Sequence, residues 1–153
     1  MLTVAHLKAG TTSNVIPQTA VLRGTVRTLT AETRALVEKR VREVVAGVAQ
    51  MTGAKIDLVY ERGYPVVVNP VAQTDFATRV AKEIAGDANV LDMPPLMGAE
   101  DFAYMLEARP GAFIFCGNGD SAGLHHPAYN FNDDAIVFGS SYWIKLVENT
   151  LVA

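Results

Sequence analysis

A chain of 153 residues, half of them hydrophobic and 19% charged, carries enough apolar material for a sizeable core and falls outside the disordered range. Its formal net charge of -3, with no long run of Lys or Arg, argues against nucleic acid as a partner, because phosphate binding draws on clustered cations. No apolar run approaches the roughly 20 residues that span a bilayer, the start carries no signal-peptide pattern, and a single cysteine precludes an internal disulfide, so the chain reads as cytoplasmic with no membrane partner.

Residues 2–8 predict a strand. In residues 20–29, Val21, Arg23, Thr25 and Arg27 alternate with Leu22, Gly24 and Val26, the period of a strand with one wet face. Thr12, Ser13, Asn14 and Pro17 supply turn chemistry between the two. Thr30 is placed to cap a helix in which Leu36, Val37, Val41, Val44, Val45 and Val48 recur at helical spacing, and Gly53 suits its end. Ile56, Leu58 and Tyr60 alternate with Asp57, Val59 and Glu61, a further strand. Strand, strand, helix, strand is the order of part of an antiparallel sheet with a helix on one face.

Two prolines and a glycine between Gly63 and Pro70 interrupt these periods and mark a domain boundary. Asn69 stands near the cap of the next helix, Pro70 in its first turn, and Val71, Phe76, Val80 and Ile84 on one face. A short strand is expected over Val90–Met93 and a short helix over Ala99–Glu107. Ala112–Gly117 is an apolar run of strand length, the pattern of a strand buried on both faces, with Cys116 a small buried residue in it. A loop follows at Gly117–Asp120, and Asp133 or Asp134 opens a last helix with Ile136, Phe138, Tyr142, Trp143, Leu146 and Val147 as packing surface.

Three groups of residues could carry chemistry. His125 and His126 adjoin beside Pro127, and imidazole is the commonest protein ligand for transition metals; the same pair could equally be hydrogen-bonded surface histidines. Glu100 and Asp101 are adjacent carboxylates, fit for a metal or acid–base site or for the start of a helix, where negative charge suits the dipole. Asn14 and Arg27 lie thirteen positions apart, on a turn and a strand; Arg presents a planar fork that matches a carboxylate, and both are also ordinary at such positions.

In combination these segments are distinctive. Gly10 to Pro17 with its Asn14-Val15-Ile16-Pro17, Arg23-Gly24-Thr25-Val26-Arg27, Met97-Gly98-Ala99-Glu100-Asp101-Phe102 and Leu124-His125-His126-Pro127 occur in an order and spacing that resembles the back portion of a two-metal amidohydrolase. The family is the one containing hippurate hydrolase, aminoacylase and the auxin-conjugate hydrolases. The resemblance implies an α/β (α+β) fold. Residues 1–64 would be part of a small antiparallel-sheet lid or dimerisation domain, and residues 65–153 the C-terminal part of an α/β zinc-peptidase-like catalytic domain. It implies that His125 is a metal ligand and that His126 holds the variable position beside it. Asn14 and Arg27 would hold the substrate's carboxylate or reacting carbonyl, and Glu100 and Asp101 would line the site. It implies two divalent ions, zinc, manganese or similar, in the complete enzyme, an N-acyl amino acid or small peptide-like substrate, and a homodimer formed through the lid.

The family's other ligand segments and the Glu-Glu pair that supplies its general base have no counterpart in this sequence, so no catalytic residue is assigned, and metal binding by this chain alone stays open. Three readings follow: a fragment of a metal-dependent amidohydrolase that is inactive alone, a noncatalytic dimerisation or binding module, or one half of a split hydrolase.

Overall fold

The computed structural model describes residues 1–151. The chain is a mixed α/β protein that divides into two compact units, the first built from Met1–Val66 with Pro95–Glu100 and the second from Val67–Pro94 with the chain from Asp101 onward. No helix among the described residues is long and apolar enough to cross a membrane.

In the first unit, β1 (Leu2–Ala9) pairs antiparallel with β2 (Ala20–Val26), and residues 10–19 connect them. The alternation seen in residues 20–29 ends as a ladder at Val26, but Arg27 extends the pairing. Its N–H donates to Met1 O at 2.9 Å, and its carbonyl accepts from the Met1 amine at 2.8 Å. The ladder slips between Val4 and His6, which pair with Gly24 and Arg23, leaving Ala5 as the extra residue of a bulge. Gly24 has no room for a side chain there: a Cβ would stand 2.4 Å from the Thr3 carbonyl oxygen.

Helix α1 (Ala31–Thr52) begins and ends as its sequence signals require. Thr30 is extended, and its hydroxyl accepts from Thr33 N–H at 3.1 Å. Gly53 takes the left-handed conformation with φ 72° and donates its N–H to Ala49 O at 2.9 Å. Arg34, Val37, Glu38, Val41, Val45 and Ala49 are its half-buried row. From that row Arg34 donates to the Gly63 carbonyl and Glu38 takes Arg62 Nε at 2.6 Å, while the exposed Arg42 beside it lies over the Tyr60 ring. The expected strand at Ile56–Tyr60 does not form among the described residues. Its alternation survives as burial only from Asp57 on, with Leu58 and Tyr60 half-buried and Asp57, Val59 and Glu61 exposed; Ile56 is exposed, and the segment has no ladder neighbour among the described residues.

In the second unit, α2 (Val71–Ala85) packs against α4 (Asp134–Thr150), and Ala77, Val80 and Tyr142 form the buried centre. Lys145 and Asn149 on α4 both reach the Glu83 carboxylate on α2. Burial pushes the Tyr142 phenol above its ordinary range, since desolvation disfavours the phenolate. The cap of α2 is Pro70, not Asn69. The Asn69 amide instead donates to Phe113 O at 2.8 Å and accepts from Phe113 N–H at 2.9 Å, standing in for one neighbouring strand residue.

Three expectations fail in this unit. Val90–Met93 is not a strand; a single 3-10 turn at Asp87–Asn89 precedes it. The short helix α3 runs Phe102–Ala108 rather than from Ala99. Ala112–Gly117 is neither a paired strand nor buried: Ile114 and Phe115 are exposed, as is Cys116. A strand buried on both faces needs neighbours on each edge and a layer on each side, and the described residues supply only Asn69 on one edge.

Candidate functional site

His125 lies in the loop between the apolar segment and α4. The loop is built from tandem turns: His126 N–H donates to Gly123 O at 3.1 Å, and Tyr129 N–H to His126 O at 2.9 Å. Pro127 between them suits such a bend. His126 Nδ1 accepts from Ala128 N–H at 3.0 Å, so this ring is tied into the loop's own turn. His125 differs. It is exposed, and with φ 66° it is the sole non-glycine among the described residues in the left-handed region. For a residue with a Cβ that conformation costs about 1–2 kcal/mol, and such strain persists where surrounding structure imposes it.

The His126 N–H to Gly123 O bond puts His125 at the third position of a turn, where positive φ is ordinary, and a carboxamide joins the ends of the loop that carries the turn. Asn118 donates to Asn130 O at 2.8 Å and accepts from Asn132 N–H at 2.8 Å, joining the loop's start to its end. Ser121 Oγ adds a bond to the same Asn130 carbonyl at 3.2 Å. Asn132 Oδ1 then accepts from Asp134 N–H at 3.0 Å, which ties the loop's end to the first turn of α4. Beside this network lies an open polar cavity of about 520 Å³, lined among others by Asn118, Asp120, Asn130 and Asp133. His125 is not part of its wall, so the cavity belongs to the loop's curvature and not to the face that His125 presents.

Arg27 emerges from a backbone fixed by the Met1 pairing, and its Nη1 donates to Met97 O at 2.8 Å. That bond ties the stretch leading into Glu100 to the end of β2, within the first unit. The remaining guanidinium donors are left for another acceptor. Asn14 is exposed in the connection between β1 and β2. Glu100 is half-buried, and Asp101 stands at the N-terminal edge of α3 without a side-chain capping bond. Within the first unit the structure thus joins Arg27 to the segment that ends at Glu100.

No group of three or more His, Cys, Asp or Glu side chains among the described residues could hold a metal ion. An exposed imidazole on a constrained loop has the right chemistry for one ligand of such an ion, and His125 meets that description. Cys116 offers nothing to it: its thiol sits 3.9 Å from the carbonyls of Gly117 and Ala135.

Two bonding patterns here have no sequence signature. Asn118, between Gly117 and Gly119, reads as a turn residue, and its partners lie twelve and fourteen residues on. The Arg27 to Met97 bond spans seventy residues.

The profile of peptidase family M20/M25/M40 matches residues 4–149. The N-acetyldiaminopimelate deacetylase of Streptococcus thermophilus is 38% identical over 149 residues, a match covering 92% of this chain and 37% of that protein. The hippurate hydrolase of Campylobacter jejuni is 34% identical over 147 residues, covering 95% of this chain and 38% of the relative. Among solved structures, the Bacillus subtilis YXEP protein, described as a dinuclear metal binding peptidase from the M20 family, superposes with a TM-score of 0.76 at 31% identity, over 98% of this chain and 42% of that one. The chain therefore spans about two fifths of the length of these relatives.

Proposed function

The chain belongs to peptidase family M20/M25/M40, and from that premise we propose that it contributes one metal ligand and the substrate clamp of an amidohydrolase acting on N-acyl amino acids. The observation that carries this reading is His125, an exposed imidazole held in a left-handed conformation within a turn, in a Leu124-His125-His126-Pro127 segment that resembles the family's ligand segment. The relatives named for hydrolysing hippurate and deacetylating N-acetyldiaminopimelate share an N-acyl amino acid as substrate, which favours that class over longer peptides.

In this reading two divalent ions, zinc or manganese, supply the activated water and polarise the scissile carbonyl when bound. His125 would be one of their ligands, the others lying outside the described residues. The planar fork of Arg27 faces the substrate carboxylate with the donors that Met97 does not use, and the Asn14 amide reaches the reacting carbonyl or the carboxylate. Glu100 and Asp101 line the same site. Residues 1–64 act as part of a lid that pairs two subunits, and residues 65–153 as part of the catalytic domain.

The test is a complete assembly of this chain with the ligand-bearing remainder of the enzyme, assayed for metal content and for hydrolysis of hippurate and N-acetyl amino acids. Close to two ions per assembly and turnover of either substrate are expected. His125→Ala should lower the affinity for one ion by at least about tenfold. Arg27→Ala should raise the Michaelis constant by about tenfold or more through loss of a charge-assisted contact. Unchanged metal content in the first variant would remove His125 from the ligand set, and unchanged kinetics in the second would remove the clamp.

A further inference from the structure

We propose that Asn118 is the positioning residue of the His125 loop: its carboxamide closes the loop at both ends and so sets the direction in which the His125 imidazole is presented. The inference rests on the proposed role of His125 and assigns a residue that touches neither substrate nor metal.

The geometry carries it. One side chain satisfies a carbonyl at Asn130 and an N–H at Asn132, each at 2.8 Å. An Asn amide has one acceptor oxygen and two N–H donors, so a single orientation serves both partners. Asn118 is half-buried while its partners Asn130 and Asn132 are exposed. The bonds fix the ends of a stretch whose middle is otherwise held only by its own turns, Gly123 to His126 and His126 to Tyr129. The Gly123–His126 turn bond holds His125 at φ 66° locally, at the third turn position, and the Asn118 closure, with the Ser121 bond beside it, fixes where that turn sits; without the closure the loop regains its freedom. Asn132 transmits the constraint through its bond to Asp134 N–H, so the loop is referenced to α4. Alanine at this position removes both bonds; aspartate keeps the acceptor for Asn132 N–H and loses the donor to Asn130 O.

The experiment uses the complete assembly, with cobalt(II) as the metal probe and its visible absorption as the readout of occupancy and ligand geometry. Asn118→Ala should weaken cobalt(II) binding at one site by about 10–100-fold and alter the absorption band, the range for loss of a group that orients a ligand. Asn118→Asp should fall between Asn118→Ala and the parent. Turnover at saturating metal should recover to within about twofold of the parent, which a general loss of folding would not allow. Should Asn118→Ala fail to fold, Asn118→Asp alone decides: affinity and spectrum equal to the parent would overturn the proposal. If His125→Ala weakens binding and Asn118→Ala does not, His125 stands as a ligand and Asn118 is a turn residue only. If His125→Ala leaves binding unchanged, the ligand reading itself fails and this inference falls with it.

Discussion

Glu38 has the most strongly defined electrostatic surroundings in the first unit. Its carboxylate takes Arg42 Nη2 at 2.8 Å from the same helix and Arg62 Nε at 2.6 Å from the segment beyond it. The hydrogen bond from Arg42, then that from Arg62, holds its carboxyl below the usual Glu value of about 4.5. A carboxylate with a depressed folded-state pKa stabilises the fold above its unfolded pKa, and that stabilisation disappears as pH falls through the folded value. Glu38→Gln should therefore lower the melting temperature at pH 7, and the difference should narrow towards pH 3 as protonation of the parent carboxylate sets in. A thermal scan of both proteins at the two pH values decides it; an equal gap at both would mean that shape, not charge, is what the site uses. The i,i+4 pairing of Glu38 with Arg42 is readable from spacing, because a helix brings such positions together. The Arg62 half is not, since it depends on how the chain returns after Gly53. The same division holds for the candidate site. His125, Asn14 and Arg27 are readable as residue types at distinctive spacing. The left-handed conformation of His125 and the closure of its loop by the Asn118 carboxamide are visible only in three dimensions.

Elements were legible where their determinants are local. Helix α1 carries its own start and stop in Thr30 and Gly53, and the β1 and β2 strands carry their own alternation. Ile56–Tyr60 and Ala112–Gly117 have strand patterns that are just as clear, yet neither forms a ladder among the described residues. A strand is defined by a neighbour's hydrogen bonds, and periodicity cannot show that no neighbour is at hand. Asn69 partly replaces one, bonding both backbone groups of Phe113. The β1–β2 pair has a local weak point of its own. Gly24 lies opposite the bulge at Ala5, and the Thr3 carbonyl occupies the space a Cβ would need. Backbone, unlike a flexible side chain, cannot yield cheaply, so Gly24→Ala should destabilise the hairpin by about 1–3 kcal/mol, the usual range for overpacking. Amide exchange should quicken across Thr3, Val4 and Arg23 while α1 is unaffected. Unchanged protection at those amides would show that the strands can separate there without loss.

At the scale of the whole chain the decisive quantity is unburied apolar surface. The accessible area is 12353 Å² for 16.4 kDa. A folded monomer of that mass exposes about 7,500 Å², and the excess is several times the roughly 600–1,500 Å² of an ordinary interface between domains, so no arrangement of the two units accounts for it. Among the described residues only Ala77, Val80, Ala103 and Tyr142 are buried hydrophobics, whereas Leu7, Leu36 and Val44 in the first unit and Phe115, Trp143 and Ile144 in the second are exposed. Exposed patches on this scale are interaction surfaces or aggregation liabilities. On the proposed function these surfaces would be covered by the rest of the enzyme, in keeping with a chain that spans about two fifths of the length of its M20 relatives and with two strand patterns that have no ladder neighbour among the described residues. The chain alone should therefore bind a hydrophobic dye such as ANS strongly, self-associate at micromolar concentration and melt over a broad range. Adding the complementing portion should suppress dye fluorescence and sharpen the transition, because burial of apolar area confers cooperativity as well as stability. A monomeric chain that melts sharply and binds no dye would instead mean that the exposed faces are satisfied within these 153 residues, and the module would have to be understood without the rest of the enzyme.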